Sequence, residues 1–85
     1  MNSKVIEEKT NFVSKLEAMF LADERSWVRS LHYEARSVGD SGFEENVYIM
    51  YRGGLRKCVC VTCCSLSSIA RNIIREVYEE EIQAE

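Results

Sequence analysis

Five side chains in this 85-residue sequence offer chemistry beyond packing: Cys58, Cys60, Cys63, Cys64 and His32. Four thiols within seven residues are the raw material of a zinc site or a redox centre. A tetrahedral zinc site usually takes two ligands from a tight turn and two from a distant segment, and here no second ligand segment exists. On a strand, Cys58, Cys60 and Cys64 point one way and Cys63 the other. A disulfide between the adjacent Cys63 and Cys64 is strained, and disulfides are uncommon in reducing cytosol. Cysteine is also among the most frequently buried residue types and packs as a small hydrophobe. The expectation is four reduced core thiols, with no metal and no cofactor. A general base needs a nucleophile or substrate within reach and an orienting partner. Only Cys58 or Cys60 on a neighbouring strand could serve His32 in that way, and no Gly-rich elbow accompanies them. No catalytic residue is assigned, and the chain reads as a non-enzyme. Gly53-Gly54 lacks the spacing of a phosphate loop and joins two strands, so it reads as a turn.

Charge is the next resource. Glu76, Glu79, Glu80, Glu81 and Glu85 crowd the C-terminal end, where a helix presents the negative end of its dipole. Local stability favours Lys or Arg there. These five glutamates are therefore the expected contact residues for a basic protein partner, since such complementarity raises association rate and specificity. Arg52, Arg56 and Lys57 form the opposing cluster at a hairpin tip, with Trp27, Tyr48 and Tyr51 along the adjoining strands. Basic and aromatic residues together can hold RNA, which is the alternative reading.

The elements that must position these groups follow from periodicity. Residues 3–22 read as a helix capped by Ser3, with Val5, Phe12, Leu16, Met19 and Phe20 at helical spacing. Lys9 falls on the apolar side and spoils the stripe. Residues 27–38 alternate Leu31, Tyr33 and Ala35 with polar neighbours, which is the period of a strand. Gly39-Asp40-Ser41-Gly42 is a turn, and residues 43–52 are a second strand. A two-residue Gly53-Gly54 hairpin pairs Arg52 with Leu55, Tyr51 with Arg56, Met50 with Lys57 and Ile49 with Cys58. The third strand then runs over 55–64, and Ser65 caps a final helix striped by Leu66, Ile69, Ala70, Ile73, Ile74 and Val77. The expected fold is a single α+β domain over residues 1–85: helix, three-stranded antiparallel sheet, helix (αβββα).

In that register one sheet face carries Val47, Ile49, Tyr51, Cys58 and Cys60, and the other Tyr48, Met50, Val59 and Val61. Both are apolar. Either the helices sandwich the sheet or one face stays uncovered; the second is favoured, with Tyr48, Met50, Val59 and Val61 as the face that meets a partner or another copy of the chain, which makes a homodimer an expectation.

Composition sets the outer limits. An apolar fraction of 46% excludes general disorder, and 29% charged residues suits a globule. No run approaches the roughly 18 apolar residues a membrane span needs. The N-terminal Met1–Glu8 stretch does not read as a signal peptide, so a cytoplasmic address is expected. A net charge of −3 weighs against binding by phosphate neutralisation.

The element order resembles the double-stranded-RNA-binding domain. The resemblance covers nearly the whole chain in topology. The lysine-rich opening of that family's second helix is replaced here by Ser65-Leu66-Ser67-Ser68-Ile69-Ala70-Arg71, and its G-P-x-H loop by Gly39-Asp40-Ser41-Gly42. The Glu76–Glu85 run and the short strand–Gly-Gly–strand core are similar to small acidic phage-encoded proteins, among them anti-CRISPR inhibitors. That resemblance implies a partner that is a nucleic-acid-binding effector nuclease, met in the host cytoplasm.

Overall fold

The computed structural model describes residues 3–84. Its elements are α1 (Ser3–Leu21), β1 (Val28–Ser37), a 3-10 turn (Gly39–Ser41), β2 (Phe43–Tyr51), β3 (Arg56–Cys60) and α2 (Leu66–Ala84). The strands form one antiparallel sheet in the order β1-β2-β3. The αβββα, α+β architecture is the one the periodicity predicts. Among the described residues, no helix is long and apolar enough to cross a membrane.

Both helices pack on the same face of the sheet. Val13 and Leu16 of α1 and Ile69, Ile73 and Val77 of α2 close over Leu31 and Tyr33 of β1 and Val47, Ile49 and Tyr51 of β2. Each strand sends alternate residues into this core, so the other face is left to His32, Glu34, Tyr48, Cys58 and Cys60, all exposed. Ser65 caps α2 as expected: its Oγ accepts the Ser68 N–H at 3.3 Å and its carbonyl the Ile69 N–H at 2.9 Å.

The hairpin register differs from the sequence reading by one residue. Tyr48 faces Cys58, Val47 faces Val59 and Asn46 faces Cys60. The loop holds three residues, not two. Tyr51 N–H donates to Leu55 O at 2.8 Å, enclosing Arg52, Gly53 and Gly54, and Gly54 N–H donates to Tyr51 O at 3.2 Å. Gly53 and Gly54 take φ values of 90° and 94°, which side chains rarely adopt, so both glycines are required.

A slip of one residue exchanges the faces of β3. Val61 is fully buried, and Val59 packs against the core. The expected partner face of Tyr48, Met50, Val59 and Val61 is therefore corrected: the two valines lie on the core side, and only Tyr48 and Met50 share the uncovered face with β3's cysteines. The expectation of core thiols is corrected for Cys58 and Cys60 for the same reason and for Cys63 because it lies in the turn after β3, whereas Cys64 packs against the core. Cys58, Cys60 and Cys63 are exposed, and only Cys64 is partly covered.

β3 also ends earlier than predicted, at Cys60. Cys64 N–H donates to Val61 O at 3.0 Å, which closes a turn, and Cys63 takes a left-handed φ of 60°.

Candidate functional site

A buried carboxylate organises one end of the molecule. Glu45 is 1% exposed. Its Oε1 accepts Lys9 Nζ at 2.7 Å and Tyr33 Oη at 2.6 Å, and its Oε2 accepts the Cys63 N–H at 2.9 Å. Its backbone N–H donates to Thr62 Oγ1 at 3.0 Å, and its carbonyl accepts Val61 N–H at 2.9 Å. The cluster joins α1, β1, β2 and the turn before α2. Burial pushes the Glu45 carboxyl up, but bonds from Lys9, Tyr33 and the Cys63 N–H pull it further down, leaving it below its ordinary value of 4.5. Burial and the bonded carboxylate push the Tyr33 phenol far up. All the acceptors face inward, so this is a lock on the fold rather than a place for substrate. Sequence reasoning missed it, although a signal existed. Lys9 interrupts one apolar stripe, and strand alternation from Val47 and Ile49 puts Glu45 on the core face.

The thiols and His32 do not assemble. His32, Tyr48 and Cys58 form one cross-strand row, with Tyr48 in the middle. Two strand spacings, about 10 Å, separate the imidazole from the thiol. Among the described residues, no group of three or more His, Cys, Asp or Glu side chains is placed to hold a metal. Cys60 Sγ lies 3.4 Å from Thr62 Oγ1, and that hydroxyl holds the thiol below its ordinary value. Cys64 Sγ accepts a long bond of 3.8 Å from Asn72 Nδ2.

The acidic helix end is largely committed within the fold. Glu81 Oε1 accepts the Trp27 N–H at 3.0 Å, and Glu80 lies 3.8 Å from Lys57 Nζ. Glu76 is half-buried, and Glu79 is exposed. Glu85 lies outside the described residues. The basic cluster separates too. Lys57 turns to α2, Arg56 sits on the uncovered sheet face, and Arg52 lines a shallow hollow with Trp27 and Glu24. Tyr51 is in the core, on the opposite face from Tyr48.

The surface that sequence reasoning did not single out is apolar. Met19 is 66% exposed, Ile74 48%, Tyr78 63% and Ile82 51%. Ile74, Tyr78 and Ile82 recur every four residues along α2 and form a ridge. Ile74 and Met19 meet across a groove between the helices that Leu16, Phe20 and Asp23 also line. The sequence held a sign of it: Ile74 and Tyr78 widen α2's apolar stripe beyond what one sheet face can cover.

The chain was compared with family models, curated proteins and solved structures, and none gives a significant match.

Proposed function

We propose that this chain is a non-enzymatic protein-interaction module that docks through the ridge of Ile74, Tyr78 and Ile82 and the neighbouring Met19. The observation that carries this reading is the exposure of four large apolar side chains on one side of the helix layer. Tyr and Met are enriched at protein interfaces, where they form an apolar centre within a polar rim. Asp23, Arg75 and Glu79 supply such a rim. The partner is a protein with an apolar surface of its own. The narrower reading, an inhibitor that occupies a nucleic-acid-binding effector nuclease, rests on Glu79 and Glu76, because Glu80 and Glu81 are engaged within the fold.

The test is capture of partner by the native chain and by an Ile74→Asp/Tyr78→Asp variant of matched helix content. The expected result is loss of binding with the ridge variant and retention with Glu34→Lys on the uncovered sheet face. Equal capture by the ridge variant would overturn the proposal.

A further inference from the structure

The fold sorts the basic residues of the sheet and its loops. Arg36 is paired with Glu44, and Lys57 with Glu80. The others, Arg25, Arg29, Arg52 and Arg56, are exposed, and among the described residues none of them is in an ion pair. All stand at the hairpin end of the sheet. Arg52 N–H donates to Trp27 O at 2.8 Å, and Arg25, Trp27 and Arg52 line one hollow. Arg56 faces Met50, which faces Ser30 in turn. Val28 and Leu31 are both in the core with two residues between them, where strict alternation allows one. The bulge at this point therefore turns both Arg29 and Ser30 off the core face.

Two exposed aromatic rings, Tyr48 and Trp27, lie among these arginines. Tyr48 and Met50 alternate outward along β2, and Trp27 adjoins the next position, Arg52. At about 3.4 Å per residue this track runs about 14 Å from Tyr48 to Arg52. Arg56 borders it on the β3 side and Arg29 on the β1 side, with Arg25 and Arg52 at its end. Glu24 shares the hollow and Glu34 lies beyond Tyr48, but most of the carboxylates that give the chain its net charge of −3 are on the helices. We propose that this end of the uncovered face binds single-stranded nucleic acid, a second function on a second surface. The guanidinium groups take phosphates, and Tyr48 and Trp27 stack on unpaired bases. Stacking needs bases whose faces are free, which a duplex does not offer. An acidic peptide would meet the arginines but has no planar groups for the rings. The ridge of α2 lies on the opposite side of the sheet, so this inference does not depend on the function proposed above.

The test is fluorescence anisotropy of the full chain with labelled oligouridylate and oligothymidylate of about a dozen nucleotides. An abasic strand of equal length, a duplex and polyglutamate are the comparisons. Micromolar binding of a base-bearing strand is expected at low salt, and the tighter of the two identifies the sugar. Its logarithmic salt slope is expected at about −2 to −3, since each neutralised phosphate contributes about −0.7. The abasic strand, the duplex and polyglutamate are expected to bind at least fivefold more weakly. Tyr48→Ala and Trp27→Ala should each weaken binding at least fivefold at unchanged helix content, and Tyr48→Phe, which keeps the ring, should not. Arg52→Gln with Arg56→Gln should flatten the salt slope by about 1.4. Glu34→Lys should tighten binding, and Ile74→Asp/Tyr78→Asp on the ridge should leave it unchanged. No binding of either base-bearing strand at low salt overturns the proposal. So does equal binding of the abasic strand or polyglutamate, or indifference to both alanine variants, results that would make this end a surface for acidic chains in general.

Discussion

Lys9 on α1 and Glu45 on β2, 36 residues apart in sequence, meet at 2.7 Å inside the protein. Their pairing explains why a charge can sit on each of two apolar faces. Removing one partner leaves an uncompensated buried charge, which typically costs about 3–5 kcal/mol. Lys9→Met is expected to approach that range in urea unfolding. Adding Glu45→Gln to it should restore a large part of the loss, since glutamine keeps an acceptor for the Cys63 N–H. A coupling below about 0.5 kcal/mol in the double-mutant cycle would contradict this.

The same carboxylate sets the acid limit of the fold. Its folded-state value lies below the ordinary 4.5, so the unfolded chain takes up the proton first as pH falls. The stabilisation it provides is complete above about pH 5 and is lost as pH drops through the folded value. Unfolding midpoints should hold steady from about pH 7 to 5 and fall below that. Glu45→Gln should flatten the fall. Glu44→Gln should leave it nearly unchanged, because the Glu44 pair with Arg36 is exposed.

Thiol reactivity should follow the corrected register. Cys60 is exposed, and the Thr62 hydroxyl favours its thiolate. Iodoacetamide at neutral pH, followed by peptide mass spectrometry, should modify Cys60 first and the partly covered Cys64 last. Thr62→Val should slow Cys60 several-fold relative to Cys58. Uniform protection of the four thiols would restore the buried arrangement that the sequence suggests.

Tyr51 carries a hydroxyl that the core does not use. The side chain is 1% exposed, and its Oη has no hydrogen-bond partner among the described residues. Burial first, then Glu76, Glu80 and Glu81, push the phenol above its ordinary range. An unpaired buried hydroxyl is a cost, so Tyr51→Phe is expected to stabilise the protein by about 1 kcal/mol. Thermal unfolding should show a midpoint raised by roughly 4–8 °C. A lower midpoint would mean that the hydroxyl is satisfied in solution.

The helices, the strands and the Ser65 cap were legible because each rests on local periodicity or a local donor–acceptor pair. The register of β3 was not. Its residues alternate Cys and Val, both apolar, so either face could be core, and the sequence Arg52-Gly53-Gly54-Leu55 fits a two- or a three-residue loop. The misplaced Cys58, Cys60, Val59 and Val61 follow from that one ambiguity. The glutamates of α2 look like a free acidic surface in sequence because the Trp27 N–H and Lys57, which engage Glu81 and Glu80, are brought near only by the tertiary fold. Lys9 was visible as an anomaly, and pairing it with the anomaly at Glu45 is the step that would have located the buried lock.

The three-residue hairpin loop sets a parity for everything downstream in β3. With the sequence unchanged, closing the same turn over two residues instead of three would invert which side chains of that strand meet the helices: Cys58 and Cys60 would turn inward and Val59 and Val61 out. Closing it over five would leave the assignment intact. A residue inserted or removed within the loop is absorbed there as long as Tyr51 stays opposite Leu55. That one pairing, rather than the length of the turn, decides whether β3 offers valines or thiols to the helices.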